Sequence, residues 1–421
     1  MLYTEYVNHR KQYQEIGTQL LLEKKHACLF MEPGKGKTYS AIDALLEVNK
    51  QKKFEANVLI ISSADAIKKM WLEDIVPQNI LPKNTYLFTD RTAIGDISKT
   101  LLSIKWDVII IDECHIIKSH NSKIHKLVYK LCKNVEYAWG MTGTPRGNSD
   151  IDIWCQLQAL NIGDQGKMSY SAWTHTFCDF DVGYGPYGRY QIPNKIKTKY
   201  SSWWNDLLNE YCLFVDYDED DDMPDLNIHT IDIPYKKTDA YNNAIQGIIE
   251  VGDFATTTEK MIAIRKAQQV CNGYIYLPDK TIHRYEKNSK LNVLDEYLID
   301  YTVIVYQYIA DFEDLIEKFG DLATSDVSKF KTGRYKILLL QSGNCKSFNL
   351  QDICHRIIFY TMDYSFLKYK QMIHRCWRLG QKTSTDVFIL IHKDTIEKQI
   401  WKAVKEKQKA HDLYMSIRQV I

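Results

Sequence analysis

The chain has 421 residues, which is too long for one ordinary hydrophobic core, so two domains are expected. Its content of 45% hydrophobic and 25% charged residues is that of a globular protein. The formal net charge of +1 excludes a strongly basic protein. It leaves room for a local basic groove, because electrostatic steering depends on where the charges lie.

Ten cysteines are scattered along the chain, and none has the C-x-x-C spacing of a zinc ribbon or a redox pair. Isolated thiols are typical of a reducing compartment. The first residues lack a basic segment followed by an apolar one, and no apolar run approaches the length of a membrane span. We therefore expect a cytoplasmic protein without a signal peptide or a transmembrane segment.

Short apolar runs alternate with helical patterns in the first half of the chain. The runs are continuous rather than alternating, which is typical of strands buried on both faces of a parallel sheet. They occupy residues 27–31, 58–61, 108–111 and 137–141. This order predicts an α/β, doubly wound domain.

The first apolar run leads into the segment MEPGKGKT at residues 31–38, which a helical pattern follows. Gly34 and Gly36 allow backbone N–H groups to surround phosphates, Lys37 reaches the terminal phosphates, and the Thr38 hydroxyl can ligate Mg²⁺. The strict pattern has glycine where the methionine stands, and a plain glycine-rich turn is the alternative. Because a strand precedes it and a helix follows, we predict a phosphate loop over residues 34–38, Lys35 included.

The third run ends in DECH at residues 112–115. An apolar strand thus delivers two carboxylates at its C-terminal end, where ligands bind in open α/β sheets. We predict that Asp112 holds Mg²⁺ through water and that Glu113 polarises the attacking water. A solvated turn is the alternative, and the preceding phosphate loop favours the catalytic interpretation.

The fourth run ends in the segment TGTPRGN at residues 142–148, in which small hydroxyl residues close a buried strand. A tight turn is one interpretation. The other is a coupling element, centred on Thr142, that senses phosphate and moves with it.

The alternation of strand and helix patterns stops at residues 160–225, which contain the acidic run DYDEDDD at 216–222. Such a run is typical of a solvated linker, and an autoinhibitory DNA mimic is the alternative. We place the domain boundary after it, so that residues 1–228 form the first domain, with an irregular or helical insertion at about 160–225. Residues 229–421 form the second domain, with a helical insertion at about 235–275, where Met261, Ile264, Ala267 and Val270 share one face.

A second strand–helix series at residues 303–306, 337–340, 356–360 and 387–391 predicts a second α/β lobe. A C-terminal amphipathic helix is predicted at about 394–415. Residues 371–381, QMIHRCWRLGQ, carry Arg375 and Arg378, which we expect on one helical face. A planar, permanently charged guanidinium suits the charge on a transferring phosphoryl group. Pairing of one arginine with a local carboxylate is the alternative.

Together these segments resemble helicase superfamily two, and specifically its Swi/Snf branch of DNA-dependent ATPases. The resemblance rests on the D-E-C-H box, the T-G-T-P motif, the R-x-x-R-x-G-Q box and Tyr13-Gln14, and it runs from about residue 10 to 410. It implies two tandem RecA-like lobes with parallel sheets, helical insertions and a C-terminal brace helix. It also implies ATP and Mg²⁺ as cofactors.

The resemblance further implies roles for individual residues. Gln14 reads adenine, His115 and Gln371 join the nucleotide site, and Arg378, with Arg375 beside it, contacts the γ-phosphate. The residues Ser342-Gly343 and Phe348-Asn349-Leu350-Gln351 resemble the branch's fifth motif, in which Ser347 stands near the place of the usual second glycine. The implied DNA contacts are Ser63, Lys118, Asn121, Thr142, Gly343 and Asn349.

These predictions describe a compact translocase of bacterial or bacteriophage type, expected to be a monomer. It would hydrolyse ATP to move along duplex or branched DNA, without sequence preference, and remodel forks, junctions or protein–DNA complexes. Two alternatives stay open. One is a strand-separating helicase that tracks on single-stranded DNA, and the other is a nucleotide-dependent DNA-binding scaffold with weak ATPase activity.

Overall fold

The structure is a computed structural model that describes residues 2–147, 149–185, 188–217, 223–251, 257–285, 288–344, 348–378 and 381–418. Asn148, Ser347, Gly380 and most of the acidic run therefore lie outside the described residues, and so does the side chain of Met261. The chain divides into two compact units. The first consists mainly of Met1–Asp181 and Pro193–Asp218, and the second mainly of Glu219–Lys409.

A parallel sheet of six strands forms the centre of the first unit, in the order β3-β2-β4-β5-β1-β8. Strands β6 and β7 pair separately. The strands are β1 (His26–Met31), β2 (Val58–Ser62), β3 (Thr85–Thr89), β4 (Val108–Asp112), β5 (Tyr137–Thr142), β6 (Cys178–Gly185), β7 (Gly188–Ile196) and β8 (Cys212–Val215).

Successive residues of the central strands enter two different hydrophobic cores. In β1, Cys28 and Phe30 belong to one core and Leu29 and Met31 to the other. Because side chains alternate across a strand, both faces of the sheet must be covered. The helices of this unit are α1 (Tyr3–Asn8), α2 (Gln12–Lys24), α3 (Lys37–Gln51), α4 (Ala64–Ala66), α5 (Asp90–Ala93), α6 (Ser98–Ser103), α7 (Lys123–Cys132), α8 (Asp150–Ala159), α9 (Tyr170–Phe177) and α10 (Ser201–Tyr211).

Helix α7 illustrates how the local sequence fixes an element. The Ser122 hydroxyl accepts a hydrogen bond from the His125 backbone N–H at 3.2 Å, which caps the first turn. Leu127, Val128 and Leu131 recur at helical spacing and are buried in the core. The stretch Ile67–Ile75, which continues α4, has wide π-type turns instead, a form that is frequent at functional sites.

The second unit repeats the plan with a parallel sheet in the order β13-β14-β12-β15-β16-β9. Its strands are β9 (Leu226–Ile233), β10 (Tyr274–Tyr276), β11 (Ile282–Arg284), β12 (Thr302–Tyr306), β13 (Ala323–Thr324), β14 (Ile337–Gln341), β15 (Arg356–Phe359) and β16 (Thr385–His392). Its helices are α11 (Asp239–Val251), α12 (Thr257–Cys271), α13 (Lys290–Tyr297), α14 (Ile309–Phe319), α15 (Val327–Lys331), α16 (Phe366–Cys376) and α17 (Ile396–Arg418).

Alternate residues of β12 again enter two cores, Val303 and Val305 on one side and Ile304 and Tyr306 on the other. Two parallel sheets flanked by helices confirm the predicted α/β fold with tandem RecA-like lobes. Strand β9 starts at residue 226 and pairs with β16 in the second sheet, although the predicted boundary falls after residue 228. In the part of the chain that the structure describes, no helix combines the length and apolarity needed to cross a membrane.

A buried polar network fastens the start of α17 to the second unit. The ammonium of Lys290 lies 2.5 Å from the Glu397 carboxylate, and both side chains are almost completely buried. Lys290 also donates to the Tyr360 carbonyl at 2.8 Å, and Glu397 accepts from the His392 backbone N–H at 2.8 Å. Because each partner compensates the other, the two charges are tolerated in the interior.

Candidate active site

The phosphate loop joins β1 to α3 through two glycines in the left-handed region, Gly34 at φ 90° and Gly36 at φ 82°. A Cβ added at Gly36 would lie 2.4 Å from Nε2 of Gln14, so the position has no room for a side chain. Lys37 begins α3 immediately afterwards. The loop therefore presents the N-terminus of a helix, whose unpaired N–H groups attract anions.

Gln14 on α2 lies against this loop. Its buried side chain donates from Nε2 to the Lys35 carbonyl at 2.9 Å, and its Oε1 accepts from the Lys11 backbone N–H at 2.9 Å. The structure thus brings the predicted adenine reader to the phosphate loop, and the adenine contact itself stays a prediction.

Lys35 has a different environment from Lys37. Its side chain is fully buried, and its ammonium lies 5.0 Å from the ring centroid of Tyr13 and 5.9 Å from that of Tyr217. The Tyr217 hydroxyl donates to the Pro33 carbonyl at 2.7 Å. We infer that the Lys35 side chain stabilises the loop from within, so that Lys35 would bind the nucleotide through its backbone. The contact of Tyr217 was not predicted, because Tyr217 lies in the acidic run.

The helix α1 also contributes to this region and was not predicted. The hydroxyls of Tyr3 and Tyr6 donate to the Asp43 carboxylate at 2.5 and 3.1 Å, and Arg10 forms an ion pair with it at 2.8 Å. Since Asp43 lies on α3, these contacts fix α1 beside the helix that carries the phosphate loop. A Cβ at Gly36 would lie 3.6 Å from the Tyr6 ring.

Asp112 ends β4, and its carboxylate is buried. Its Oδ2 accepts from the Trp71 indole N–H at 3.0 Å and from the Ser62 hydroxyl at 3.4 Å, while Oδ1 accepts from the Glu113 backbone N–H at 3.0 Å. Burial and the neighbouring Glu113 charge raise the pKa of Asp112, against the lowering effect of Trp71 and Lys37. Lys37 therefore lies close enough for its charge to act on the carboxylate.

Glu113 takes a backbone conformation that is rare for a residue with a side chain, at φ 54° and ψ 52°. Its Oε2 accepts from the Thr142 hydroxyl at 3.0 Å and lies 3.2 Å from Nδ1 of His115. Burial raises the pKa of Glu113, but the hydrogen bond and charge of His115, with Lys37 and Thr142, bring the pKa below its usual range. The carboxylate is thus held ionised, as a general base requires.

Thr142 connects the carboxylates to the T-G-T-P segment. Its hydroxyl lies 3.1 Å from Nδ1 of His115 and accepts from the Thr144 backbone N–H at 3.1 Å. A Cβ added at Gly143 would lie 3.1 Å from the Met31 carbonyl, so this segment packs directly on the start of the phosphate loop. Thr142 itself is fully buried. Its side chain is therefore not accessible for the predicted DNA contact, and the coupling role stays a prediction.

Thr38 and Asp112 provide the kind of oxygen ligands that Mg²⁺ prefers, a hydroxyl and a carboxylate. The Thr38 hydroxyl is buried and donates to the Met70 sulfur at 3.4 Å. The left-handed glycines directly before the start of α3 suit a loop whose backbone N–H groups surround a phosphate. These residues therefore fit ATP and Mg²⁺ by donor chemistry and by backbone geometry.

The other DNA contacts predicted in the first unit differ in accessibility. Ser63 is buried and caps α4 by accepting from the Ala66 N–H at 3.4 Å. Asn121 is exposed in the turn before α7. Lys118 is half-buried, and a Cβ at Gly147 would lie 2.6 Å from its Nζ. Asn121 therefore has the most accessible side chain of these three residues.

In the second unit, Gly343 is exposed with open space around it, and Asn349 is half-buried and accepts from the Gln351 N–H at 3.1 Å. Gln371 is half-buried on α16. Arg375, in the last turn of α16, donates to the Phe348 carbonyl at 3.3 Å and lies 5.8 Å from the Phe348 ring. The arginine box is thereby tied to the fifth motif.

The prediction that both arginines share a helical face is wrong. Helix α16 ends at Cys376, and Trp377 is extended at φ −101° and ψ 108°, so Arg378 lies beyond the helix. The Trp377 indole donates to the Pro224 carbonyl at 2.6 Å, at the position where the helix ends. The roles of Arg375 and Arg378 at the γ-phosphate stay predictions.

Comparison with known proteins gives two domain matches and several relatives. Residues 79–274 match the SNF2-related domain, and residues 5–147 match the type III restriction enzyme, res subunit. Putative protein p41 of Acyrthosiphon pisum secondary endosymbiont phage 1 is 22% identical, over 96% of this chain and 97% of its own length. The uncharacterized ATP-dependent helicase YqhH of Bacillus subtilis is 21% identical, over 92% of this chain and 76% of its own.

A solved Sulfolobus solfataricus SWI2/SNF2 ATPase core in complex with dsDNA has a TM-score of 0.42 and 20% identity, with 97% of this chain and 93% of that chain covered. The two domain matches and the ATP-dependent helicase relative support a DNA-dependent ATPase of the helicase class. Together they support a helicase of superfamily two, of the Swi/Snf type.

Proposed function

We propose that the chain is an ATP-driven translocase, acting as a monomer, that moves along duplex or branched DNA and remodels forks, junctions or protein–DNA complexes. The observation that carries the proposal is the junction of three motifs in the first unit. The phosphate loop, the Asp112–Glu113 pair and the Thr142–Thr144 segment are linked by direct contacts. Members of the Swi/Snf branch use this arrangement to convert ATP hydrolysis into movement.

Each residue has a role that its surroundings support. The loop N–H groups and Lys37 hold the phosphates, and Thr38 with Asp112 would hold the metal ion. When bound, Mg²⁺ neutralises charge on the phosphate oxygens. Glu113, ionised and fixed by Thr142 and His115, orients and deprotonates the attacking water.

Coupling to DNA is proposed to run through the segment 62–75. The branch places its first DNA-contacting motif here, and two side chains of the segment, Ser62 and Trp71, donate to Asp112. A movement of this segment would therefore shift two hydrogen-bond donors of the Asp112 carboxylate directly. Exposed Asn121 and Gly343 are the candidates for backbone-phosphate contacts, which carry little sequence information and weaken with salt.

Steady-state ATPase activity tests the proposal, measured without nucleic acid and with single-stranded DNA, duplex DNA or a four-way junction. We expect strong stimulation by duplex or junction that Glu113→Gln abolishes. Stimulation by single strands alone would favour a strand-separating helicase. Activity that is indifferent to every DNA would contradict the translocase.

A further inference from the structure

A groove of about 760 Å³ lies in the second unit, and none of the residues predicted to contact ATP or DNA lines it. It is bounded by β9, the first turns of α11 and one face of α17. Strand β9 is the last strand of its sheet, and among the described residues no strand pairs with its outer side. A volume of this size accommodates several side chains of a partner.

Apolar side chains form the inner surface of the groove. Tyr241, Ile391 and Trp401 are buried beneath it, and Ile245 is half-buried at its side. The Trp401 indole donates to the Thr230 hydroxyl at 3.0 Å, which fixes the ring between α17 and β9. This surface favours a ligand that brings apolar groups.

Lysines surround the opening. Lys398, Lys402 and Lys405 recur at i, i+4 and i+7 on α17, so they share one helical face, and Lys237 contributes from the segment before α11. All four are exposed. The excess of positive charge is local, because the whole chain has a formal net charge of only +1.

These cations have little compensation within the part of the chain that the structure describes. Lys237, Lys398 and Lys405 form no ion pair there, and Lys402 approaches Glu406 only at 3.9 Å, in a pair that is well exposed. Asp232 and Asp394 also line the groove, so the lysines outnumber the carboxylates four to two. The groove is therefore complementary to an anionic ligand with apolar groups.

We propose that this groove binds an acidic peptide segment of a partner protein, with carboxylates on the lysines and an aliphatic or aromatic side chain on the Trp401 surface. A nucleic-acid backbone fits less well, because it offers no apolar side chain and because Asp232 and Asp394 repel a row of phosphates. A peptide backbone can instead donate its N–H groups to these carboxylates. The partner would recruit or regulate the enzyme from a site separate from ATP and DNA.

The test uses the full chain and a displayed library of short random peptides. Peptides that bind the wild type are selected, and those that also bind Lys398→Glu/Lys402→Glu are removed. The peptide that binds the wild type most tightly is then labelled for fluorescence-anisotropy measurements. We expect the selected sequences to combine acidic with aliphatic or aromatic residues. The double variant should bind the labelled peptide at least about tenfold more weakly, and Ile245→Asn roughly fivefold.

Lys329→Glu/Lys331→Glu is the matched control. It makes the same change of charge on exposed lysines of α15, beside the β13 edge of the sheet and thus opposite β9. The control should bind the peptide like the wild type. ATPase and duplex-DNA affinity should be unchanged in both double variants, which separates this inference from the proposed function.

Two results would overturn the inference. One is a selection that yields no acidic–apolar peptides, or peptides that bind both double variants equally. The other is a loss of duplex-DNA affinity in Lys398→Glu/Lys402→Glu without a peptide effect, which would make the lysine row a DNA contact.

Discussion

At the scale of single residues, the carboxylate predicted to hold Mg²⁺, that of Asp112, is bound by a side chain from a distant part of the chain. Trp71 donates to Asp112 at 3.0 Å across a separation of 41 residues. Strand patterns predicted where Asp112 would lie, since a carboxylate after a buried strand reaches the end of the sheet. They could not predict the indole contact, because the wide-turned helix that aims Trp71 has no recognisable sequence pattern.

Replacing Trp71 with phenylalanine should lower ATPase activity. The ring would still fill the core, but Asp112 would lose its closest side-chain donor and with it a fixed orientation. Loss of such an outer-shell partner typically lowers metal affinity or activity by roughly tenfold or more. The measurement is ATP turnover with duplex DNA, beside calorimetric Mg²⁺–nucleotide binding.

Trp106→Phe is the matched control, because Trp106 is also buried but donates to the Leu101 carbonyl at 2.8 Å, away from the carboxylates. Equal losses in the two variants would mean that the indole acts only on stability.

Thr142→Val separates the coupling role from the predicted DNA contact. The change keeps the shape of the side chain but removes the donor to Glu113 and the acceptor of the Thr144 N–H. We expect turnover to fall roughly tenfold, because a buried group left unpaired costs about 1–3 kcal/mol. Affinity for duplex DNA without nucleotide should not change. A marked fall in that affinity would instead support the predicted DNA contact of Thr142.

At the scale of elements, sequence patterns found the central strands of both sheets and missed their edges. The runs at 27–31, 58–61, 108–111 and 137–141 correspond to β1, β2, β4 and β5, which are neighbours inside the sheet. Burial on both faces makes such strands continuously apolar. The outermost strands are short or less buried: β13 has two residues, β8 has four, β3 is half-buried, and β9 is mostly exposed.

Removing one charge of the Lys290–Glu397 pair should destabilise the fold much more than removing both charges. Glu397→Gln leaves the Lys290 charge buried without its partner, and we expect a loss of about 3–5 kcal/mol in the free energy of unfolding. The double change Lys290→Met/Glu397→Leu removes both charges and should cost much less. Urea unfolding at neutral pH measures both, and similar losses would contradict a charge-based explanation.

This stabilisation should also depend on pH. Burial raises the pKa of Glu397, but Lys290 and His392 outweigh it and lower the pKa from 4.5 to about 2. A carboxylate whose pKa is lower in the folded state stabilises the fold above its unfolded pKa and loses that effect on acidification. The difference in unfolding free energy between wild type and Glu397→Gln should therefore shrink as the pH falls from 4.5 towards 2.

At the scale of the whole molecule, the proposed chemistry is divided between the two units. The phosphate loop and carboxylates belong to the first unit, and the arginine box belongs to the second. Within that box the two arginines differ. Arg375 is engaged with the Phe348 carbonyl, whereas Arg378 follows the end of α16. The sequence motif predicts both as γ-phosphate ligands, but the spacing alone does not predict that the helix ends between them.

Arg378→Ala should abolish hydrolysis and leave nucleotide binding largely intact, because most of the predicted nucleotide contacts, including the phosphate loop, belong to the first unit. An arginine finger is worth about 10³–10⁵ in turnover. The measurement pairs single-turnover ATP hydrolysis on duplex DNA with the affinity for a non-hydrolysable ATP analogue. Arg334→Ala, at an exposed arginine of the same unit, should change neither quantity.

Arg375→Ala should behave differently, because it removes a hydrogen bond and a ring contact to Phe348 and so loosens the fifth motif. We expect this variant to lose stability and DNA stimulation together. If Arg378→Ala hydrolysed ATP like the wild type while Arg375→Ala did not, the finger would be the residue inside the helix. The bond to Phe348 would then have to break when the site forms.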